Sequence, residues 1–286
     1  MATGAIEALI DEGHGAFERG DADASRRAFA AALAESESGE LFEGFARALY
    51  LAGDYRGSIE AHERGFAAYK DEGDPLSAAR TARILPWLHL NVYGAFAVAG
   101  GWLTRAERLL EHVEGEGAEH GWVELMRATG EPYREARVRR IRTALQRGRS
   151  CGEADLELAA LAWLGEALVM AGEIDEGMGH FDESLAAVCA GEARDLYVIE
   201  GVFCGMFLTC ERVNDVSRAE QWLRAAGELV RRRNLVAVGP LCRSHYGGIL
   251  TAAGRWEEAE AEFDEAARVF EGGYAGRPRD RARAAR

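Results

Sequence analysis

Five scattered prolines in 286 residues, and almost no stretches of alternating apolar and polar β-formers, leave little to interrupt helices or to build sheets. The five cysteines, Cys151, Cys189, Cys204, Cys210 and Cys242, are an odd set with no CxxC pair. That excludes a disulfide framework or a zinc ribbon as the organising device, and it fits a reducing cytoplasm. No apolar run of about 18 residues occurs, and the opening MATGAIEALIDEGHG lacks a basic stretch followed by an apolar core, so neither membrane spanning nor export is expected. The phrases GxxxxGK[ST], GxSxG and HExxH, which would announce a phosphate cradle, a nucleophile elbow or a zinc protease, are also missing. The seven histidines stand singly, and Cys242 with His245 is one pair short of a zinc site. No metal, cofactor or catalytic residue is therefore expected. Basic charge is short as well: 34 Lys and Arg against 48 Asp and Glu give a net charge of -14, which argues against the surface as a whole being a nucleic-acid platform.

What is abundant is Ala, Leu, Glu and Arg, residues that lose little rotamer freedom in a helix, with 48% hydrophobic content to fill a continuous core. One phrase recurs: an apolar helix, a short Gly-centred turn, and a second helix opening with an aromatic or aliphatic residue. It reads Ala16-Phe17 to Gly20-Asp21 with Phe29, then Ala46, Leu49 and Gly53-Asp54-Tyr55 with Phe66, then Gly94, Ala97 and Gly101-Trp102-Leu103. Later copies are Trp163-Leu164-Gly165 with Gly172-Glu173-Ile174, Gly177 and Phe181; Cys210 with Asn214-Asp215-Val216; and Tyr246-Gly247 with Gly254-Arg255-Trp256. Small residues in both helices let the backbones approach, Gly or Asn supplies the left-handed residue that ends a helix, and the following Asp can cap the next one. Turns assigned to residues 20, 53, 101, 172, 214 and 254 are 33, 48, 71, 42 and 40 apart. The gap of 71 is about two repeats of ~34 residues, so a degenerate copy belongs inside it, with residues 131–149 as its second helix. The expectation is an all-α tetratricopeptide (TPR)-like solenoid of about seven hairpins over residues 1–271, coiled into a right-handed superhelix whose first helices line the concave face. A basic tail, 272–286, follows.

The chain also resembles the TPR region of actinobacterial LuxR-type transcriptional regulators. The likeness rests on Ala61-His62-Glu63-Arg64, Gly73-Asp74 with Ala78-Ala79-Arg80, Gly101-Trp102-Leu103 with Arg105-Ala106, Glu119-His120-Gly121-Trp122, the Gly172 to Gly177 turn, residues 240–245 and the Gly254 to Glu262 segment. Neither a P-loop nor a C-terminal helix-turn-helix is present here, so the resemblance implies a regulatory sensor or interaction array without a DNA-binding output.

On this frame the inward first-helix positions run from Leu88, Asn91, Ala95 and Val98 through Ala159, Ala162, Glu166 and Val169 to Val202, Glu211 and Ser244, a lining mostly small and apolar. It suits a peptide, a partner helix or an apolar small molecule better than a charged tail. In Leu85-Pro86-Trp87-Leu88-His89-Leu90-Asn91-Val92-Tyr93, Pro86 should kink or start a helix, leaving Trp87, His89, Asn91 and Tyr93 as candidate ligand contacts beside Glu166, Glu211 and Ser244. Two readings follow: a non-catalytic binding module, or an enzyme or carrier with its pocket at Pro86 to Tyr93. Seven arginines between Arg134 and Arg149 form a basic stripe that either engages phosphate or pairs with glutamates of neighbouring helices. The last hairpin, Tyr246 to Phe270, lacks a polar capping helix, which favours a homodimer.

Overall fold

The computed structural model describes residues 2–233 and 238–273. Fourteen helices follow one another in the described residues, and no strand is among them. They pair as seven hairpins: α1 (Ala2–Glu18) with α2 (Ala22–Glu35), α3 (Gly39–Leu51) with α4 (Tyr55–Asp71), and α5 (Pro75–Tyr93) with α6 (Phe96–Leu110). The remaining pairs are α7 (Ala118–Thr129) with α8 (Arg134–Cys151), α9 (Ala154–Met170) with α10 (Ile174–Ala190), α11 (Leu196–Val213) with α12 (Val216–Arg233), and α13 (Val238–Ala252) with α14 (Trp256–Gly273). Most of the expected basic tail, residues 274–286, lies outside the described residues. None of the described helices is long and apolar enough to cross a membrane.

Helix ends follow the local chemistry. Gly20, Gly53, Gly172 and Gly254 take positive φ at the hairpin turns, and Asn214 does the same with φ 55°. Asp21, Asp54, Asp74 and Asp215 each accept a hydrogen bond from the backbone N–H three residues on, at 2.9 to 3.0 Å. Each such cap is worth about 1 kcal/mol.

Three expectations are corrected. The third hairpin turns at Gly94, a left-handed residue with φ 62°, whereas Gly101 lies within α6, because a glycine in a helix interior with open space around it carries no turn by itself. Moving the turn evens the spacing and places the degenerate hairpin at α7 and α8. Its turn, Gly130 to Tyr133, holds Gly130 at φ -94°, so no left-handed glycine marks it. Pro86 does not start a helix: α5 begins at Pro75 behind the Asp74 cap and continues through Pro86, which is buried. Ala95 and Val98, read as positions on a first helix, are the N-cap and an exposed residue of the second helix α6.

One apolar core runs from Tyr50, Leu51 and Ile59 through Leu85, Leu125, Leu161 and Phe203 to Leu250. Between α9 and α10 the backbones nearly touch at Gly165 and Gly177: a Cβ on either would come within 2.5 Å of the other's carbonyl oxygen. The arginine stripe of α8 is engaged with acidic neighbours: Arg137 with Glu166, Arg140 with Glu124 and Glu131, Arg147 with Glu116, and Arg149 with Glu157.

Candidate functional site

The first helices α5, α7, α9 and α11 face a common interior, and each contributes large side chains to it. Trp87 stands seven residues before Gly94, Trp122 eight before Gly130, and Trp163 nine before Gly172, so three successive first helices present an indole at nearly the same level. These rings, with Ile84, Met126, Ala159, Val198, Gly201 and Val202, line a half-open pocket of about 50 Å³. Its polar groups are Arg83, Asp195 and the Tyr197 side chain.

Each polar group is anchored from behind. Arg83 donates from Nε to Glu119 Oε2 at 2.8 Å, and its guanidinium lies 4.2 Å from the centre of the Trp122 ring. Asp195 caps α11 by accepting the N–H of Tyr197 at 2.9 Å, and its own N–H donates to Asp155. Burial pushes the Asp195 carboxyl above the ordinary range, with Arg83 and Arg47 pulling the other way. The result is an aromatic chamber with one cation and one acid on its wall, an arrangement that can hold an apolar body and orient a polar end.

Tyr197 also faces away from the chamber, toward α3 and α4. Its ring lies 4.3 Å from that of Tyr50, and its hydroxyl is 3.0 Å from His62 Nε2. The Tyr50 hydroxyl donates to the carboxylate of Glu200. Burial raises Glu200 to about 7, against the opposing pull of that hydrogen bond, and lowers His62 to about 4.

Of the residues singled out in the sequence, Trp87 and the inward positions Ala159 and Val202 line the chamber. His89 is buried outside it, with Nε2 3.5 Å from Glu63 Oε1. Asn91 is exposed and donates back to the carbonyl of Trp87 at 2.8 Å, and Tyr93 at the end of α5 is exposed. Glu166 bridges Arg137 and Arg212, Glu211 is exposed beside Gly248, and Ser244 is half-buried on α13. These six do not converge with Trp87. Sequence reasoning missed Trp122, Trp163, Arg83, Asp195 and Tyr197 as a group. The available signal was the recurrence of tryptophan at one level of successive first helices.

Seven helical hairpins stacked around such an interior define an α-solenoid of the TPR kind. No family model and no curated protein matches the chain. Among solved structures it is similar to the Rap protein complexed with competence and sporulation factor, with a TM-score of 0.70 over 96% of this chain and 77% of that one at 13% identity. It is also similar to a signal-transduction ATPase with numerous domains and a TPR sensor, from Pyrococcus horikoshii, with a TM-score of 0.52 over 94% of this chain and 42% of that one at 12% identity. At these identities the likeness establishes the fold.

Proposed function

We propose that this chain is a non-catalytic binding module of a cytoplasmic regulatory pathway, receiving an apolar segment of a peptide or partner protein, or a small effector, in the interior of its solenoid. The observation that carries this reading is the convergence of Trp87, Trp122 and Trp163 on one chamber walled by Arg83 and Asp195. Indoles offer large, rigid, amphipathic contact area, and two fixed charges at the wall select the orientation of what enters. The resemblance to regulator TPR regions supports the regulatory role, and the Rap complex offers a precedent, in a protein of the same fold, for a bound factor.

The test is native mass spectrometry of the protein purified from its own host, against a denatured sample of the same preparation. A co-purified polypeptide identifies a partner, and a co-purified small molecule identifies an effector. Either should be lost from Trp163→Ala, whose fold is checked by circular dichroism. A folded variant that retains the bound species overturns the assignment of this chamber as the site.

A further inference from the structure

Of the two charges on the wall of the tryptophan pocket, one is spent and the other is not. Arg83 donates from Nε to Glu119 Oε2 at 2.8 Å and lies 4.2 Å from the centre of the Trp122 ring, so its charge is matched from behind. Asp195 accepts the backbone N–H of Tyr197 at 2.9 Å, while Arg83 and Arg47 reach its carboxylate through their charge without a hydrogen bond. We propose that the pocket takes an alkylammonium head group, a protonated or quaternary amine carried on an apolar body, with Asp195 as its counterion and the indoles of Trp87 and Trp163 around its carbon atoms. This deepens the binding role proposed above and rests on it.

The size of the pocket limits what enters. At about 50 Å³ it offers a third of the ~150 Å³ that holds a benzene ring, and it is half-open, so it receives the tip of a ligand whose body lies outside. The sign of that tip follows from the surrounding charge. Arg47, Arg83, Glu119 and Asp155 act on Asp195 or on Glu153, so with that pair four acids stand against two arginines. Burial and the Asp155 charge push both carboxyls above their ordinary range, the mark of negative charge held without enough compensation. Asp155 cannot turn to relieve them, because its oxygens accept the N–H groups of Arg194 and Asp195. An anionic tip would meet Asp195 and find Arg83 already paired, and a neutral one would leave Asp195 as it is. A cation supplies the missing charge, and indole is the side chain that attracts a cation best. The guanidinium of Arg83 over Trp122 is a case of that attraction within the same pocket.

Ligand-observed nuclear magnetic resonance titrations of the full chain at neutral pH test this with two probes of one shape: choline, and dimethylbutanol, its neutral isostere with carbon in place of nitrogen. Choline should bind roughly tenfold more tightly. Asp195→Asn keeps the oxygen that caps α11 and removes the charge; it should erase that preference while binding dimethylbutanol as wild type does. Trp163→Ala, folded by circular dichroism, should lose both probes, which separates the pocket from loose attraction of cations to an acidic surface. A short capped peptide with a central trimethyllysine tells the source apart: tighter binding than choline marks a partner chain, weaker binding a small effector. Equal affinity for the two isosteres would overturn the ammonium assignment and leave the binding role standing. Failure of both probes to bind would overturn the two together. A preference for choline that survives in folded Asp195→Asn or Trp163→Ala also overturns the assignment. The wild-type comparison needs no variant, so it decides even if neither variant folds.

Discussion

Replacing Gly177 by alanine should destabilise the protein, although alanine is by about 1 kcal/mol the better helix former. The new Cβ would lie 2.5 Å from the carbonyl oxygen of Gly165, 2.7 Å from Val169 Cγ2 and 2.9 Å from the Val169 nitrogen. Two of those three atoms are backbone of a packed helix and cannot rotate away, so α9 and α10 must separate by several tenths of an ångström. Overpacking of this kind costs typically 1–3 kcal/mol, and relieving it disturbs Phe181 and Met178, both about 1% exposed. Set against the propensity gain, the net loss should be up to about 2 kcal/mol. Gly179, two residues on, supplies the control: it is exposed on the same helix and a Cβ there meets nothing within 4 Å. Gly179→Ala should therefore gain up to about 1 kcal/mol from propensity alone. Urea unfolding followed by far-ultraviolet circular dichroism measures both. Equal midpoints for the two variants would refute the claim that close approach of the helices at this point, rather than helix propensity, governs the site.

Other outcomes follow from the same geometry. For Glu200 the folded pKa of about 7 lies above the unfolded value near 4.5, so its contribution to stability is complete below pH 4.5 and is lost as pH rises through 7. Glu200→Gln should match wild type at pH 4.5 and exceed it by about 3 kcal/mol at pH 8 in denaturant titrations; a pH-independent difference would contradict the burial argument. His62 runs the opposite way, its contribution being lost as pH falls from 6.5 through about 4, and it cancels in that comparison because both proteins retain it. Since four arginines of the α8 stripe are already ion-paired, electrophoretic mobility assays with duplex DNA or RNA should show no salt-dependent shift. Trp256 is 72% and Phe263 41% exposed on the last hairpin, so light scattering at high micromolar concentration should report a dimer, reduced to monomer by Trp256→Ser. A monodisperse wild-type monomer would remove that expectation.

The repeating unit was written in the chain itself, since its determinants are local. Left-handed Gly53, Gly172, Gly254 and Asn214, the caps Asp21, Asp54 and Asp215, and the small pair Gly165 and Gly177 act between residues a few positions apart or across one hairpin. Gly101 misled because a glycine's identity does not reveal its φ, and the α7–α8 turn stayed silent because Gly130 keeps an ordinary one. Only the tertiary structure decided which inward positions meet. Trp87, Trp122 and Trp163 share a chamber, while His89, Asn91 and Tyr93, on the same helix as Trp87, do not join it. Tyr50 finds Glu200 across 150 residues because small rotations between neighbouring hairpins accumulate until the coil returns upon itself, and that sum is a property of the packed array that no single repeat carries.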